Sequence, residues 1–471
     1  MYNLEDLKKR RETLLLAEAA AWLHDIGKFT DLHIEHETGG PRKWPNKHAY
    51  KAVVDDPASV IRLSKKASGA GKPRSLNDFL NAKSPKAADF LSAELKSFLK
   101  NREIEIKRVS FTLAELIMLG TPGFAGHQNR SKLIEGKKGW LPALLGVCHS
   151  EAHFDKQEPP RGEGNQIFPF VLFSSPFGYE TRTFIPGDTR NSLDAKLNNL
   201  KDLFPLISVT GLDLRNLIRK LDDELKSGLG DTRRPINEIS LAGWSSTVAA
   251  LFKAALSLVI LTGAQPEIRQ FIDRVTIDHD VYWRVLHVTV NGIDFFGKAH
   301  HLPDLLARRQ ILVRALDGTR HLLETDLPMG SEIYRDEYGS AFIVPDLPGN
   351  DGETLESLLA GNVAAVFARY GLDSEVTPGL WASRATRKVE VLAGYLDRLS
   401  KAPPPIEPDS RVVQKFWNGV HEEVCPVCCI RPAGPSEKAK KRGVCDVCER
   451  RRADRAREWA TERLFTTIWM D

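Results

Sequence analysis

Two pairs of cysteines near the C-terminal end constrain this chain more than any other feature. Cys425-Pro-Val-Cys428 is followed, after sixteen residues, by Cys445-Asp-Val-Cys448. Paired C-x2-C knuckles at that separation are the pattern of a closed, tetrahedral four-thiolate zinc site. Five of the six cysteines fall in this stretch, and the sixth, Cys148, is far from it. That distribution fits a reducing compartment and one metal site better than a disulfide framework. Cys429 is the spare thiol, because its spacing does not repeat the pair. Such a site stabilises a fold and implies no catalysis. The knuckles enclose EKAKKRG and are followed by ERRRADRAR, a basic cluster expected to contact a nucleic-acid backbone, with a solvated helix face as the alternative.

The remaining composition sets limits. At 471 residues the chain is long enough for several domains, and 42% hydrophobic with 27% charged residues is the balance of an ordinary globular protein. A net charge of +4 says little about nucleic acid by itself. The most apolar run, TVAALFKAALSLVILTG, is 17 residues long, short of the ~20 a membrane span needs, and is expected in a core. The N-terminal apolar stretch runs into a charged motif and not a cleavage site, so a cytoplasmic protein without a membrane partner is expected.

Hydrophobic periodicity predicts an α+β multidomain chain. Residues 1–165 read as all-helical. Residues 166–275 read as a mostly helical connecting region that opens with the strand-like IFPFVLFSS. Over 276–400 the order is strand (WRVLHVTVNGIDFF), helix, a hairpin turning at Glu337–Gly339, helix (TLESLLAGNVAAVFARYG) and strand (SEVTPGLWAS). That order, β-α-β-β-α-β, is the ferredoxin-like split motif of polymerase and cyclase palms. A proline-rich hinge over 401–420 leads to the small zinc-ribbon-type module and its flanking basic helix, 421–471.

The chemistry is expected near the N-terminus. Leu7, Leu14, Leu15, Ala19, Leu23 and Ile26 recur at helical spacing, Gly27 ends the helix, and His24-Asp25 sits at that end within LHDIGKF. A His-Asp doublet alone is close to a chance event, and His279-Asp280 is read as a second, solvated one. In its setting, His24-Asp25 reads as the metal pair of an HD-type phosphohydrolase. Imidazole nitrogen with carboxylate oxygen suits Mn, Fe, Ni or Co, ions that lower the pKa of a bound water. Further donors are His127 in GHQNR and the pair His149 and His153 in LLGVCHSEAHFD, four apart and so on one helix face; a surface helix with unrelated histidines is the alternative. Lys28 is placed to neutralise charge developing on phosphorus, or simply sits well at a helix C-terminus. Asp294 is expected to be structural, and His300 and His301 to be helix-entry or surface residues.

An LHDIGK motif, a ferredoxin-like palm and paired cysteine knuckles, in this order, resemble the large subunit of type III CRISPR effector complexes, in its divergent HD-bearing branch. SSPFGYE and EIYRDEYGSAFIVPDL add to the likeness. The resemblance implies a circularly permuted HD domain that cuts single-stranded DNA in antiviral defence, in a complex with guide RNA and other effector subunits. It implies metal binding and DNA cleavage for His24 and Asp25. The family's Gly-Gly-Asp-Asp motif is absent, so synthesis of cyclic oligoadenylates is not carried over. The chain stops on the strand-like FTTIWMD, which suggests a shortened chain or one part of a split protein. The competing readings are a catalytically inactive HD-containing scaffold of a ribonucleoprotein and a free-standing HD nucleotide phosphohydrolase.

Overall fold

The structure is a computed structural model that describes residues 2–24, 93–120, 139–152, 171–173, 182–184, 211–225, 241–270, 277–347, 349, 354–372, 375–396 and 410–458. Asp25, Lys28, His127 and His153 lie outside the described residues.

Helix α1 (Leu4–Lys9) starts at Asn3, whose side chain accepts from the Glu5 amide at 3.1 Å. Helix α2 (Arg11–Leu23) buries Leu14, Leu15 and an unbroken run from Ala17 to Leu23. That run includes one charged residue, Glu18. Next come α3 (Ala93–Asn101), strands β1 (Glu103–Ile106) and β2 (Val109–Thr112), then α4 (Leu113–Gly120) and α5 (Trp140–Glu151). The β1–β2 hairpin interrupts a stretch expected to be wholly helical. Glu-Ile-Glu-Ile alternates exposed and buried, but the turn places Lys107 and Arg108 at positive φ (51° and 65°), where glycine or asparagine is the usual signal.

Two short pairs, β3 (Val171–Phe173) with β4 (Arg182–Phe184) and β5 (Ile268–Gln270) with β6 (Ile277–His279), flank helices α6 (Gly211–Leu225) and α7 (Leu241–Thr262). Helix α7 is long and apolar enough to cross a membrane by length and composition. Here it is a core helix, packed along α2 and against α5 and the central sheet.

That sheet has the order β10-β7-β9-β8, every neighbouring pair antiparallel. Strand β7 (Trp283–Thr289) is followed by α8 (Gly292–Gly297) and α9 (Leu302–His321), which continues into a π-helical turn, Leu322–Asp326. The hairpin β8 (Ser331–Asp336) and β9 (Gly339–Pro345), helix α10 (Leu355–Arg369) and β10 (Gly379–Ala382) complete a β-α-β-β-α-β run. Helix α10 opens on a capping box in which Thr354 and Ser357 each bond the other's backbone amide. Gly339 is at φ 131°, and a Cβ there would sit 2.0 Å from the Val288 carbonyl, so only glycine fits the hairpin. Strand β9 is buried at all seven positions, so both sheet faces are covered. Helix α7 lies on one, and the Trp283 indole donates to Leu251 O on it at 2.9 Å. The parallel crossovers put α9 and α10, which pack on each other, on the opposite face.

Strand β7 stops at Thr289, short of its expected end. Asn291 accepts from the Asp294 amide and caps α8, so NGIDFF is helical. Asp294 is an exposed first-turn residue bonded to Asn291, and His301 is the N-cap of α9. A short helix α11 (Val389–Ala393) precedes α12 (Ser410–Trp417), α13 (Glu437–Arg442) and α14 (Asp446–Glu458). Among the described residues an apolar core runs from Leu7 to Leu392, and a small separate cluster holds four cysteines and Val444.

Candidate metal centres

His24 and His149, 125 residues apart in sequence, meet with Nε2 of the first 2.8 Å from Nδ1 of the second. Both rings are buried. Helix α2 delivers His24 at its C-terminal end, and the apolar α5 delivers His149 from its last turn. Nδ1 of His24 lies 2.5 Å from the Ala21 carbonyl, which can only accept, so Nδ1 carries the proton. In the neutral ring Nε2 then presents its lone pair towards His149. A backbone carbonyl fixing the tautomer in this way is how metal-binding imidazoles are usually oriented. Two imidazoles on one tetrahedral ion stand about 3.3 Å apart from bond lengths near 2.0 Å, so at 2.8 Å these two are hydrogen-bonded to each other. The donors suit a transition metal, and the ring planes, at 79°, converge without stacking. Trp244 of α7 packs against His149 at 5.7 Å between ring centroids. Sequence reasoning missed this wall. Cys148, next to His149, is fully buried, and burial pushes its thiol well above the usual range.

The second doublet is not the solvated pair expected. His279 is buried, with Nε2 3.4 Å from Glu151 of α5 and Nδ1 accepting from the Val281 amide at 3.3 Å. Asp280 accepts from the Glu267 amide at 2.8 Å. Both are explained by strand-end geometry.

On the same helix as His24, Glu18 binds Lys253 Nζ of α7 at 2.8 Å and Arg215 of α6 at 3.1 Å. Arg215 also binds Glu324 in the π-helical turn, whose other oxygen accepts from the Glu332 amide of edge strand β8 at 2.9 Å. Burial lowers the Lys253 pKa, though Glu18 opposes the shift. Burial works against the Glu324 carboxylate too, yet Arg215, Lys253 and Arg320 hold its pKa below the ordinary value. A cavity of about 410 Å³ opens beside this network, walled by Trp22, Arg219, Ser246, Arg320 and Ser331. A lone charge in each of two alanine-rich apolar runs, EAAAW and LFKAAL, is the only trace of the network in the sequence.

The sulfur atoms of Cys425, Cys428, Cys445 and Cys448 all lie within 4.8 Å of one another and are buried. Sγ of Cys428 and Cys445 are 3.8 Å apart, far beyond a disulfide and close to the edge of a tetrahedron with Zn–S bonds near 2.3 Å. Such crowding splits the thiols. Hydrogen bonds from Cys428 and its neighbours pull Cys425 well down, while those shared with Cys425 push Cys445 and Cys448 up. Four thiolates here require a cation, and the donor set fits zinc. Cys429 is exposed and turns its sulfur towards Pro426 O at 3.7 Å.

The basic cluster is only partly outward. Lys438 and Arg442 bind Glu449 at 2.7 Å, and Lys440 lies 3.2 Å from Glu422. Arg451 and Arg452 turn inwards, onto Glu375 and Asp304. Lys438, Lys440, Lys441, Arg442 and Arg450 are nonetheless exposed.

No protein-family profile matches the sequence, and no curated protein does. Among solved structures, a crystal structure of a Csm1-Csm4 cassette in complex with cA3 aligns with 83% of this chain at 15% identity and a TM-score of 0.40. The chain spans about half the length, 48%, of the chain it matches.

Proposed function

We propose that this chain is the HD-bearing part of a large subunit of the type III CRISPR kind, and that its N-terminal helices hold a metal-dependent nuclease centre for single-stranded DNA. The carrying observation is the meeting of His24 Nε2 and His149 Nδ1, brought together from two helices with the His24 tautomer set by Ala21. LHDIGK puts Asp25 directly beside this pair in sequence, and the same motif supplies Lys28. The β-α-β-β-α-β unit is read as the ferredoxin-like palm and the cysteine cluster as its zinc module. Guide RNA, other effector subunits and a cytoplasmic setting belong to the same reading.

In this reading His24, His149 and Asp25, with His127 and His153, hold a Mn, Ni, Co or Fe ion. An ion held there would lower the pKa of a bound water so that hydroxide is available at neutral pH. His24 Nε2 and His149 Nδ1 face each other, and His149 Nδ1 would give up the proton it donates to His24 before both could hold an ion. Trp244 and the apolar turns of α2 and α5 keep bulk water from the buried side. Lys28 offsets charge on the phosphate being cut.

The test is cleavage of labelled single-stranded DNA by the full chain with Mn or Ni, beside a His24→Ala/Asp25→Ala variant. Cleavage that disappears in the variant is expected, and cleavage unchanged in it would sink the nuclease reading. Preference for dNTPs over DNA would point to a nucleotide phosphohydrolase. One observation favours a second reading: at 2.8 Å the imidazoles already satisfy each other without an ion, as an inactive HD scaffold would require. Failure to bind Mn in calorimetry would select it.

A further inference from the structure

The zinc module grips the sheet unit through residues that flank its own cysteines. Arg431, three residues after Cys428, donates to Glu375 at 2.6 Å. Arg451, three after Cys448, reaches the same carboxylate at 2.9 Å. Both arginines also donate to the Gly371 carbonyl, at 2.9 and 3.1 Å. Arg452 forks onto Asp304 of α9 at 2.5 and 2.6 Å. Arg308 of α9 answers from the other side, donating to the carbonyl of Val427 inside the first knuckle at 2.6 Å.

The two carboxylates are almost fully buried, Glu375 at 2% and Asp304 at 3% exposure. Glu375 sits in the turn between α10 and β10, four residues before the edge strand begins. A buried carboxylate that loses its partners must take in water or leave the interior. Among the described residues the buried core of the module is its four cysteines, Val444 and Ala439, with Val427, Ile430 and Val447 half-buried around them. A unit this small holds its shape through the ion that its thiolates bind.

We propose that the cysteine cluster is a metal-dependent clasp: zinc holds Arg431, Arg451 and Arg452 in register with Glu375 and Asp304, so that the α10–β10 edge of the sheet unit stays closed only while the ion is bound. This rests on the zinc reading of the cluster. Loss of the ion frees the two knuckles from each other, withdraws the arginines and strands Glu375. Residues 375–378 then loosen and β10 loses a support on its outer side, while the β8–β9 hairpin on the far edge is untouched. Of the arginines that look from sequence like a nucleic-acid face, Arg451 and Arg452 are thereby structural ties.

The experiment is hydrogen exchange on the full chain before and after stripping with a zinc chelator, with metal content measured in the same samples. Stripping is expected to speed exchange in peptides over 371–382 and 302–308 by roughly tenfold or more, and to leave 331–345 unchanged. Coupling is reciprocal, so Glu375→Gln/Asp304→Asn is expected to weaken zinc retention, read by competition with a chromogenic chelator, by a factor of roughly 5 to 150. A chain that never carries zinc overturns the zinc reading and the clasp together. Zinc that is bound and removed without any change in 371–382 overturns the clasp alone.

Discussion

Glu18 and Lys253, 235 residues apart in sequence, face each other at 2.8 Å in the interior between α2 and α7. Neither side chain reaches solvent: Lys253 is fully buried and Glu18 nearly so. Each charge is tolerated there only because the other is present, with Arg215 and Glu324 completing the set. Lys253→Met is therefore expected to destabilise the chain by about 3–5 kcal/mol, because Glu18 is left partly uncompensated. Glu18→Gln/Lys253→Met is expected to cost less than the single change. Urea unfolding of the parent, Lys253→Met, Glu18→Gln and the double variant tests this, and a double variant as weak as the sum of its parts would count against the pair.

Acid should loosen this region and also the contact between Glu375 and the cysteine module. Burial works against the Glu324 and Glu375 carboxylates, but the surrounding arginines, with Lys253 at Glu324, hold both below the ordinary 4.5. A depressed folded-state pKa means that the unfolded chain takes up protons first as pH drops. Their contribution is thus complete above about pH 4.5 and lost progressively below it, through the folded-state values. Melting temperature followed from pH 7 to pH 3 should fall in that window, and Glu324→Gln should flatten part of the slope.

The two buried histidine neighbourhoods should respond differently to Mn. His149→Ala is expected to weaken Mn binding by at least about tenfold in calorimetry, the lower end of what losing even an indirect support costs a metal site. His279→Ala should leave binding as it was, since its contacts are with Glu151 and the Val281 amide. It should lower stability by about 1–3 kcal/mol through the unmet amide. Equal Mn binding by His149→Ala and the parent would remove His149 from the centre.

Among the cysteines, Cys425→Ser should abolish stoichiometric zinc and Cys429→Ser should not change it, as read by elemental analysis. Cys429 is exposed and stands outside the cluster. A drop in zinc on replacing Cys429 would mean that the ligand set is wrong.

The strands of the central sheet were legible because β-branched and aromatic residues cluster between strong stops. Thr354 announces α10 through its capping box, and the Glu337–Gly339 turn announces the hairpin. The helix in NGIDFF was not legible, since Asn291 ends β7 by capping, a choice made by one side chain against an apolar run that reads equally well as strand. The β1–β2 hairpin hid for a related reason: its turn is built from Lys107 and Arg108. His24 and His149 could be nominated from sequence, but their approach to 2.8 Å depends on how α2 and α5 pack. The inward turn of Arg451 and Arg452 was invisible, because charge patterning records how many cations a helix carries and not which carboxylates lie beneath it.

The burial of both faces of the central sheet bears on how this polypeptide can be divided. Helix α7, which precedes the β-α-β-β-α-β run in the chain, covers one of those faces and accepts the Trp283 hydrogen bond through Leu251. A fragment beginning at residue 276 would expose the indole of Trp283 and the inner positions of β7 and β9 to water. Such a fragment would find its missing layer in another copy of itself, and soluble expression of the sheet requires a cut upstream of Leu241.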